Sequence, residues 1–114
     1  ELSGGMRKRV GIARGIARRP KYILYDEPTT GLDPVTSAVI DELMVRMRER
    51  LGVTSIVITH DMRSAYRVGS RIAMLYEGKV RQVGTVDEIQ HTTDPIVRQF
   101  IEGKPDLELV EAGV

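Results

Sequence analysis

Several residue types that often dictate a protein's chemistry are missing or rare in this sequence. It has no cysteine and no tryptophan, and one phenylalanine. Neither a disulfide framework nor a thiolate metal site is therefore possible, and the core must be mainly aliphatic. The formal net charge is +1, which gives no general attraction to nucleic acid. Because no apolar run approaches the roughly 20 residues of a membrane-spanning helix, composition predicts a globular protein.

Short apolar segments alternate with stretches of helical periodicity along the chain. Periodicity and capping residues predict strands at 22–25, 54–59, 71–76 and 79–83, and helices at 6–19, 34–51, 62–68, from 85 onward and at 95–102. Helices between strands supply the crossovers that parallel pairing needs, whereas the turn at Glu77-Gly78 joins the last two strands as a hairpin. We therefore predict an α/β fold with a mainly parallel sheet, flanking helices and a C-terminal antiparallel hairpin.

Apolar residues recur at helical spacing along the two longest predicted helices. On the first helix these residues are Met6, Val10, Ala13 and Ala17. On the long second helix they recur at every fourth position, at Val39, Leu43, Met47 and Leu51. The apolar run at 22–25 predicts a buried strand.

Two acids follow the first predicted strand. Asp26 and Glu27 fall at the carboxyl end of the sheet, where α/β proteins bind ligands. Because adjacent strand residues point to opposite sides, the two acids are suited to different roles. Asp26 can hold Mg²⁺ through its waters, and Glu27 can orient or deprotonate an attacking water. Taken alone, a pair of acids that simply leads into solvent is an equally good interpretation.

Two further segments carry groups that suit a phosphate. Ser3, Gly4 and Gly5 begin a helix, where backbone N–H groups and the helix dipole favour an anion. His60 follows the second strand and can donate a hydrogen bond to a phosphate oxygen. In isolation, an ordinary helix cap and a structural histidine are the favoured interpretations. Asp33, which precedes Pro34, is typical of a helix N-cap.

The order of these segments resembles the ABC ATPase family. Leu2-Ser-Gly-Gly matches its signature motif, Asp26-Glu27 the end of its Walker B motif, Gly31-Leu-Asp33 its D-loop, and His60 its switch histidine. The resemblance implies a P-loop NTPase fold that binds ATP and Mg²⁺, with Glu27 and His60 as catalytic residues and Asp26 as the metal ligand. It assigns nucleotide contacts to the signature residues and Asp33, that is, to Leu2, Ser3, Gly4, Gly5 and Asp33.

The resemblance also implies an assembly. Family members form head-to-tail dimers in which the signature of one subunit contacts the nucleotide of the other, and they dock on membrane permeases. We therefore expect a second ATPase subunit and a permease as partners, no nucleic acid, and a cytoplasmic location at the periphery of the inner membrane.

One part of the family pattern is missing from the sequence. A P-loop needs G-x-x-x-x-G-K-[ST], but Gly78-Lys79 and Gly103-Lys104 lack the upstream glycine and are followed by valine and proline. We therefore expect residues 1–103 to form the C-terminal half of an ABC ATPase domain and to be inactive alone. Residues 104–114 predict a loose acidic tail.

Two departures suggest a class of transporter. Met6 stands where the family usually has glutamine, and residues 94–103 resemble the tail of ATPases from MCE-type (Mla-type) phospholipid transport systems. An MCE-type lipid-binding protein would then be a further partner, although any capped amphipathic helix fits the same residues. The alternatives are an ATPase of another importer, exporter or divisome complex, a soluble ABC ATPase of ribosomes or chromosomes, and a regulatory fragment, against which Glu27 argues.

A cluster of basic side chains lies within residues 7–21. Such clusters bind nucleic acid or anionic lipid in some proteins. A solvated helix face near polyphosphate is the interpretation that we favour here.

Overall fold

A computed structural model describes residues 3–105 of the 114-residue chain. The chain divides into two compact units, Glu1–Gly69 and Ser70–Val114. Leu2, for which a nucleotide contact is expected, and residues 106–114 of the predicted acidic tail lie outside the described residues. Within residues 3–105, no helix combines the length and hydropathy needed to cross a bilayer.

The first unit contains three helices and a two-stranded parallel sheet. The elements are α1 (Gly4–Ala17), β1 (Tyr22–Asp26), α2 (Pro34–Leu51), β2 (Thr54–Ile58) and α3 (Met62–Val68). Strands β1 and β2 pair in parallel, from Tyr22 opposite Thr54 to Asp26 opposite Ile58. Helix α2 is the crossover between them, which confirms the predicted α/β class and the parallel pairing.

Side-chain caps begin all three helices of this unit. The carboxylate of Asp33 accepts from the N–H of Thr36 at the start of α2, and Pro34 occupies the first turn. Asp61 caps α3 in the same way. Gly52 ends α2 with φ +64°, a left-handed conformation in which a side chain is strained. These ends agree with the helix boundaries that the sequence predicts for α2.

The buried face of α2 lies around Ile40 and Met44. These side chains are buried at 0% and 2% exposure, and they pack with Ile12 of α1 and Tyr25 of β1. Of the apolar residues at every fourth position, Leu43 and Met47 are partly buried against this cluster, whereas Val39 and Leu51 are exposed at 40% and 50%. The helical period alone does not select the buried face, because apolar residues occupy most of the helix circumference. Similarly, Met6 and Val10 are exposed on α1, whereas Ile12 is buried.

The parallel sheet is half-covered by the described residues. Tyr22 and Leu24 of β1 are 75% and 64% exposed, and Ile56 of β2 is 64% exposed. The prediction of a buried strand is therefore wrong for residues 3–105, because only the side that carries Tyr25 is covered by helices of this unit. The strand alternation itself follows the expected period of two.

The second unit is a hairpin with two short helices. Strands β3 (Arg71–Tyr76) and β4 (Lys79–Thr85) pair antiparallel, and α4 (Val86–Gln90) and α5 (Pro95–Glu102) follow. Thr85 and Glu88 form the predicted capping box of α4. Asp94 caps α5 and also pairs with Arg81 of β4 at 2.8 Å, which ties α5 to the hairpin. The predicted C-terminal antiparallel hairpin is confirmed.

Candidate functional site

Two residues from separate loops meet at the carboxyl end of the parallel sheet. Glu27 follows β1 and His60 follows β2, and the His60 Nδ1 atom lies 3.0 Å from the Glu27 Oε1 atom. The second oxygen, Oε2, accepts from the hydroxyl of Thr30 at 3.1 Å. An ionised carboxylate only accepts hydrogen bonds, so His60 Nδ1–H is the donor. The structure thus brings together the two residues for which the sequence predicts catalytic roles.

The backbone at Glu27 leaves the strand. Its φ is +48°, in the left-handed region that non-glycine residues rarely adopt. The Glu27 N–H still donates to the carbonyl of Ile58 at 2.7 Å, so the hydrogen-bond ladder ends at this residue. The sequence analysis expects strand alternation to send Asp26 and Glu27 to opposite sides. That reason is wrong, because the extended backbone of β1 ends at Asp26. The turn at Glu27, which the hydrogen bond to β2 supports, sets the direction of this side chain.

The contact between the two side chains shifts both protonation equilibria. The hydrogen bond from His60, with a smaller one from Thr30, lowers the pKa of Glu27. The same bond and the negative charge of Glu27, with a minor contribution from Asp61, raise the pKa of His60. Each group therefore favours the charged form of the other. Near neutral pH, Glu27 is held as a carboxylate, the form that accepts a proton.

The stabilising effect of this pair is expected to be confined to a pH window. It is lost as pH rises through the raised pKa of His60, and it is lost as pH falls through the lowered pKa of Glu27. The difference in thermal stability between the wild type and His60→Gln should be largest between pH 4.5 and pH 6.5, which are the ordinary pKa values of Glu27 and His60. A difference that does not change with pH would contradict the ion pair.

The N-terminus of α1 packs directly on the loop and helix that follow Glu27. Ser3 is the N-cap, and its hydroxyl accepts from the N–H of Met6 at 3.1 Å. A Cβ added at Gly5 would lie 2.7 Å from Cγ2 of Thr36, and one at Gly4 would lie 3.1 Å from Cδ2 of Leu32. Gly5 therefore leaves no room for a side chain against α2, whereas a side chain at Gly4 would need Leu32 to shift slightly.

We expect Gly5→Ala to destabilise the protein by about 1–3 kcal/mol, the usual cost of overpacking. Thr36 cannot turn away freely, because its hydroxyl donates to Asp33 at 2.7 Å. Gly11→Ala is the matched control on the same helix, since nothing lies within 4 Å of the added Cβ. That change should stabilise the protein by about 0.5–1 kcal/mol. Chemical denaturation measures both, and equal effects at the two sites would contradict the packing.

Asp33 has both carboxylate oxygens engaged within α2. Oδ1 accepts from the Thr36 N–H at 2.8 Å and Oδ2 from the Thr36 hydroxyl at 2.7 Å. These bonds lower the pKa of Asp33. The predicted N-cap role is therefore confirmed, while the expected nucleotide contact stays a prediction.

Asp26 is the last residue of β1 and its side chain is exposed at the carboxyl end of the sheet. Among residues 3–105, no group of three or more His, Asp or Glu side chains has the geometry of a metal site. The described residues therefore do not form a complete metal cage. A single carboxylate fits Mg²⁺ that is carried by a nucleotide, because Mg²⁺ keeps several waters and takes few protein ligands.

Three contributors to this region were not predicted from the sequence. Thr30 donates to Glu27, and the ammonium of Lys8 lies 3.4 Å from the Glu27 carbonyl oxygen, which links α1 to the same loop. Thr29 of the same loop is buried, and its hydroxyl contacts the hydroxyl of Ser64 in α3. The short spacing between Thr30 and Glu27 is a signal that sequence reasoning could have used. The contacts of Lys8 and Thr29 span 19 and 35 residues and leave no local signal.

Comparison with known proteins gives a consistent family. The family model described as "ABC transporter" matches residues 1–30. The methionine import ATP-binding protein MetN of Carboxydothermus hydrogenoformans is 41% identical over 97% of this chain and 33% of its own length. MetN of Xanthomonas campestris is 43% identical over 89% of this chain and 30% of its own length. The chain thus spans about a third of the length of these relatives.

A solved structure supports the same family. The ATP-binding cassette MJ0796, a dimer in a post-hydrolysis state bound to ADP and Pi, matches with a TM-score of 0.65 and 41% identity. The match covers 75% of this chain and 36% of the cassette. The relatives are named for methionine import, so the expected MCE-type phospholipid system and its lipid-binding partner are not supported. The motifs, the fold and these similarities together support the assignment of this chain to the ATP-binding domain of ABC transporters.

Proposed function

We propose that this chain belongs to the ATP-hydrolysing subunit of an ABC transporter. The single observation that carries the proposal is the contact of 3.0 Å between Glu27 and His60 at the carboxyl end of a parallel sheet. A carboxylate beside an imidazole at this edge is suited to water attack on a phosphoryl group. The 41% identity to MetN and to the MJ0796 cassette supports the same function.

Glu27 is the base in this proposal. Its carboxylate is ionised and held by two hydrogen bonds, from His60 and Thr30. In that form it orients a water molecule and accepts its proton as the oxygen attacks the γ-phosphorus. With a lowered pKa, Glu27 is available as a base over a wide pH range, although each hydrogen bond that it accepts also weakens its basicity.

His60 stabilises the transferred group. Its side chain is 71% exposed. While Nδ1 donates to Glu27, the other ring nitrogen is available to donate to a phosphate oxygen when the ring is protonated. The contact with Glu27 raises the pKa of His60 and so favours that protonated form.

The N-terminus of α1 supplies a phosphate-binding surface for a second subunit. The first-turn N–H groups of Gly4 and Gly5 have no partner within the helix, and the dipole of this 14-residue helix favours an anion there. We propose that Ser3, Gly4 and Gly5 contact nucleotide held by a second copy in a head-to-tail dimer, with Asp33 near the same junction. The dimeric state named for the MJ0796 cassette supports this arrangement.

Nucleotide binding in this proposal also needs groups that the sequence lacks. No P-loop occurs in the 114 residues, so the phosphates must be held by a P-loop from outside this sequence. Asp26 would hold the Mg²⁺ that accompanies ATP, and that ion would neutralise phosphate charge. The 114-residue chain by itself should therefore show no ATP hydrolysis and no micromolar affinity for Mg·ATP.

We propose a transport role on the basis of the relatives. An ATP-hydrolysing subunit of this kind acts on the cytoplasmic side of a membrane, as a peripheral subunit attached to a permease. The names of the relatives favour methionine as the transported substrate over phospholipid.

The test is to purify the full-length subunit with its membrane partners in lipid vesicles and to measure phosphate release together with uptake of labelled methionine. We expect ATP-dependent phosphate release and methionine uptake. Phosphate release coupled to movement of a fluorescent phospholipid would overturn the substrate, whereas absence of any ATP hydrolysis would overturn the function itself.

A further inference from the structure

A buried chain of polar groups lies beneath the loop that carries Glu27. Its members are Thr29 of the loop, Ser64 of α3 and Asp41 of α2, which are exposed at 5%, 1% and 1%. The Thr29 and Ser64 hydroxyl oxygens are 3.3 Å apart, and the Ser64 hydroxyl lies 2.9 Å from Asp41 Oδ2. At the other end of this buried chain of polar groups, the guanidinium of Arg67 in α3 donates to the same Asp41 oxygen at 3.2 Å.

The distances fix the direction of these hydrogen bonds. A serine hydroxyl has one hydrogen, and the shortest contact of Ser64 is to the carboxylate of Asp41, which can only accept. Ser64 therefore donates to Asp41 and accepts from the hydroxyl of Thr29. The sequence of donors runs from Thr29 through Ser64 to Asp41, so the negative charge of Asp41 orients both hydroxyl groups.

The buried chain of polar groups links the two residues of the proposed catalytic pair. Thr29 lies two residues after Glu27 in the same loop. Ser64 lies in the first turn of α3, which begins two residues after His60, and its N–H donates to the helix cap Asp61 at 3.4 Å. Fixing Thr29 against Ser64 therefore fixes the Glu27 loop against the segment that carries His60.

Burial of Asp41 is costly for a purely structural contact. Its Oδ1 atom is buried and has no hydrogen-bond partner among residues 3–105. A buried charge with an incomplete shell is worth less to stability than a well-packed apolar side chain. What an apolar side chain at position 41 cannot supply is an acceptor for Ser64. The carboxylate therefore has a directional effect on the hydroxyl groups of Ser64 and Thr29.

We propose that Asp41, acting through Ser64 and Thr29, is a positioning residue that holds Glu27 against His60. The inference rests on the proposed function, because it concerns the same site. It adds three residues, each at most 5% exposed, that determine how the reacting carboxylate is presented.

The decisive comparison is between Thr29→Val and Thr29→Ser in the full-length protein. Valine keeps the shape of threonine and removes the hydroxyl, whereas serine keeps the hydroxyl. Histidine-ring NMR follows the titration of His60, whose signal is identified by its loss in His60→Gln. We expect the pKa of His60 to fall toward its ordinary value in Thr29→Val and to remain raised in Thr29→Ser. Ser64→Ala, which removes the same bond from the other side, should reproduce the effect of valine.

Hydrolysis provides a second readout. Loss of one hydrogen bond should lower kcat of Thr29→Val by about threefold to tenfold. KM for ATP should be unchanged, because the Thr29 side chain is buried, at 5% exposure, and the substitution keeps its shape. If His60 titrates identically in Thr29→Val, Ser64→Ala and the wild type, the inference is wrong even where ATP is hydrolysed. If the wild type hydrolyses no ATP, the proposed function fails, while the NMR comparison still decides whether the buried chain positions the pair.

Discussion

Replacing Glu27 with glutamine is expected to reduce ATP turnover by about 10²- to 10⁴-fold, the usual contribution of a general base. Glutamine has nearly the same shape and keeps an oxygen that can accept from Thr30 or His60. It cannot take a proton from water. Nucleotide binding should therefore be retained, whereas the hydrolysis step should be lost. Phosphate release from the full-length subunit, with its partners, measures the change.

The Glu27→Gln variant should also accumulate as a nucleotide-bound dimer, because ATP that is not hydrolysed keeps the two subunits together. Gel filtration with and without ATP tests this outcome. Glu42→Gln is the matched control, since Glu42 is an exposed residue of α2 that pairs with the exposed Arg46 four residues later. The control should retain wild-type turnover. Hydrolysis by Glu27→Gln at near the wild-type rate would remove Glu27 from the role of base.

Truncating Ile40 to alanine is expected to destabilise the first unit by about 2–5 kcal/mol. Ile40 is fully buried, at 0% exposure, in the cluster that includes Met44, Ile12 and Tyr25. Removing its side-chain carbons loses their burial and leaves a cavity between α2 and the sheet. The site depends on this contact, because α2 also carries Asp41 and begins at the cap Asp33.

Val35→Ala is the control for this change. Val35 lies on the same helix and is 76% exposed, so its truncation should alter stability by less than about 0.5 kcal/mol. Chemical denaturation followed by circular dichroism measures the free energy of unfolding for both variants. A loss at Ile40 that is no larger than the loss at Val35 would show that the α2 packing is not as described.

The elements of the fold follow from local patterns in the sequence. Asp33-Pro34 and Gly52 set the ends of α2, and Thr85 with Glu88 sets the start of α4, because caps act over three or four residues. Parallel pairing of β1 and β2 follows from the helix between them. These features could be predicted because each depends on neighbours in sequence.

The buried face of α2 could not be predicted in the same way. Ile40, Met44 and the polar Asp41 are buried, whereas the apolar Val39 is 40% exposed. Which stripe of an apolar helix turns inward depends on what α1, β1 and α3 offer, and that information is not local. Burial of Asp41 depends on its contacts with Ser64 and Arg67, which lie over 20 residues away in the sequence.

The contact between Glu27 and His60 follows in part from the order of the strands. The positions of Glu27 and His60 after two parallel strands predict that they meet, since the carboxyl ends of such strands share one edge. The left-handed turn at Glu27 and the support from Thr29 and Thr30 were not predicted. A positive φ at a glutamate contradicts its own preference, so tertiary contacts, here the bond to Ile58, must impose it.

The predicted type of transporter, an MCE-type phospholipid system, is not supported by the relatives. It depended on Met6 and on residues 94–103, which form an amphipathic helix with Val97 buried and Phe100 49% exposed. Such a pattern is common to capped surface helices and carries little information on substrate. The relatives at about 40% identity over most of the chain are methionine import proteins.

We propose that Ser3 of one subunit and Glu27 of the other serve the same nucleotide. The most direct measurement mixes a subunit carrying Ser3→Ala with one carrying Glu27→Gln and records phosphate release. If the two residues act across the dimer, a mixed dimer has one site with both changes and one site with neither, so ATP turnover reappears on mixing. If turnover in the mixture stays at the level of the separate variants, Ser3 and Glu27 do not act across the dimer, and the proposed nucleotide site shared by two subunits is wrong.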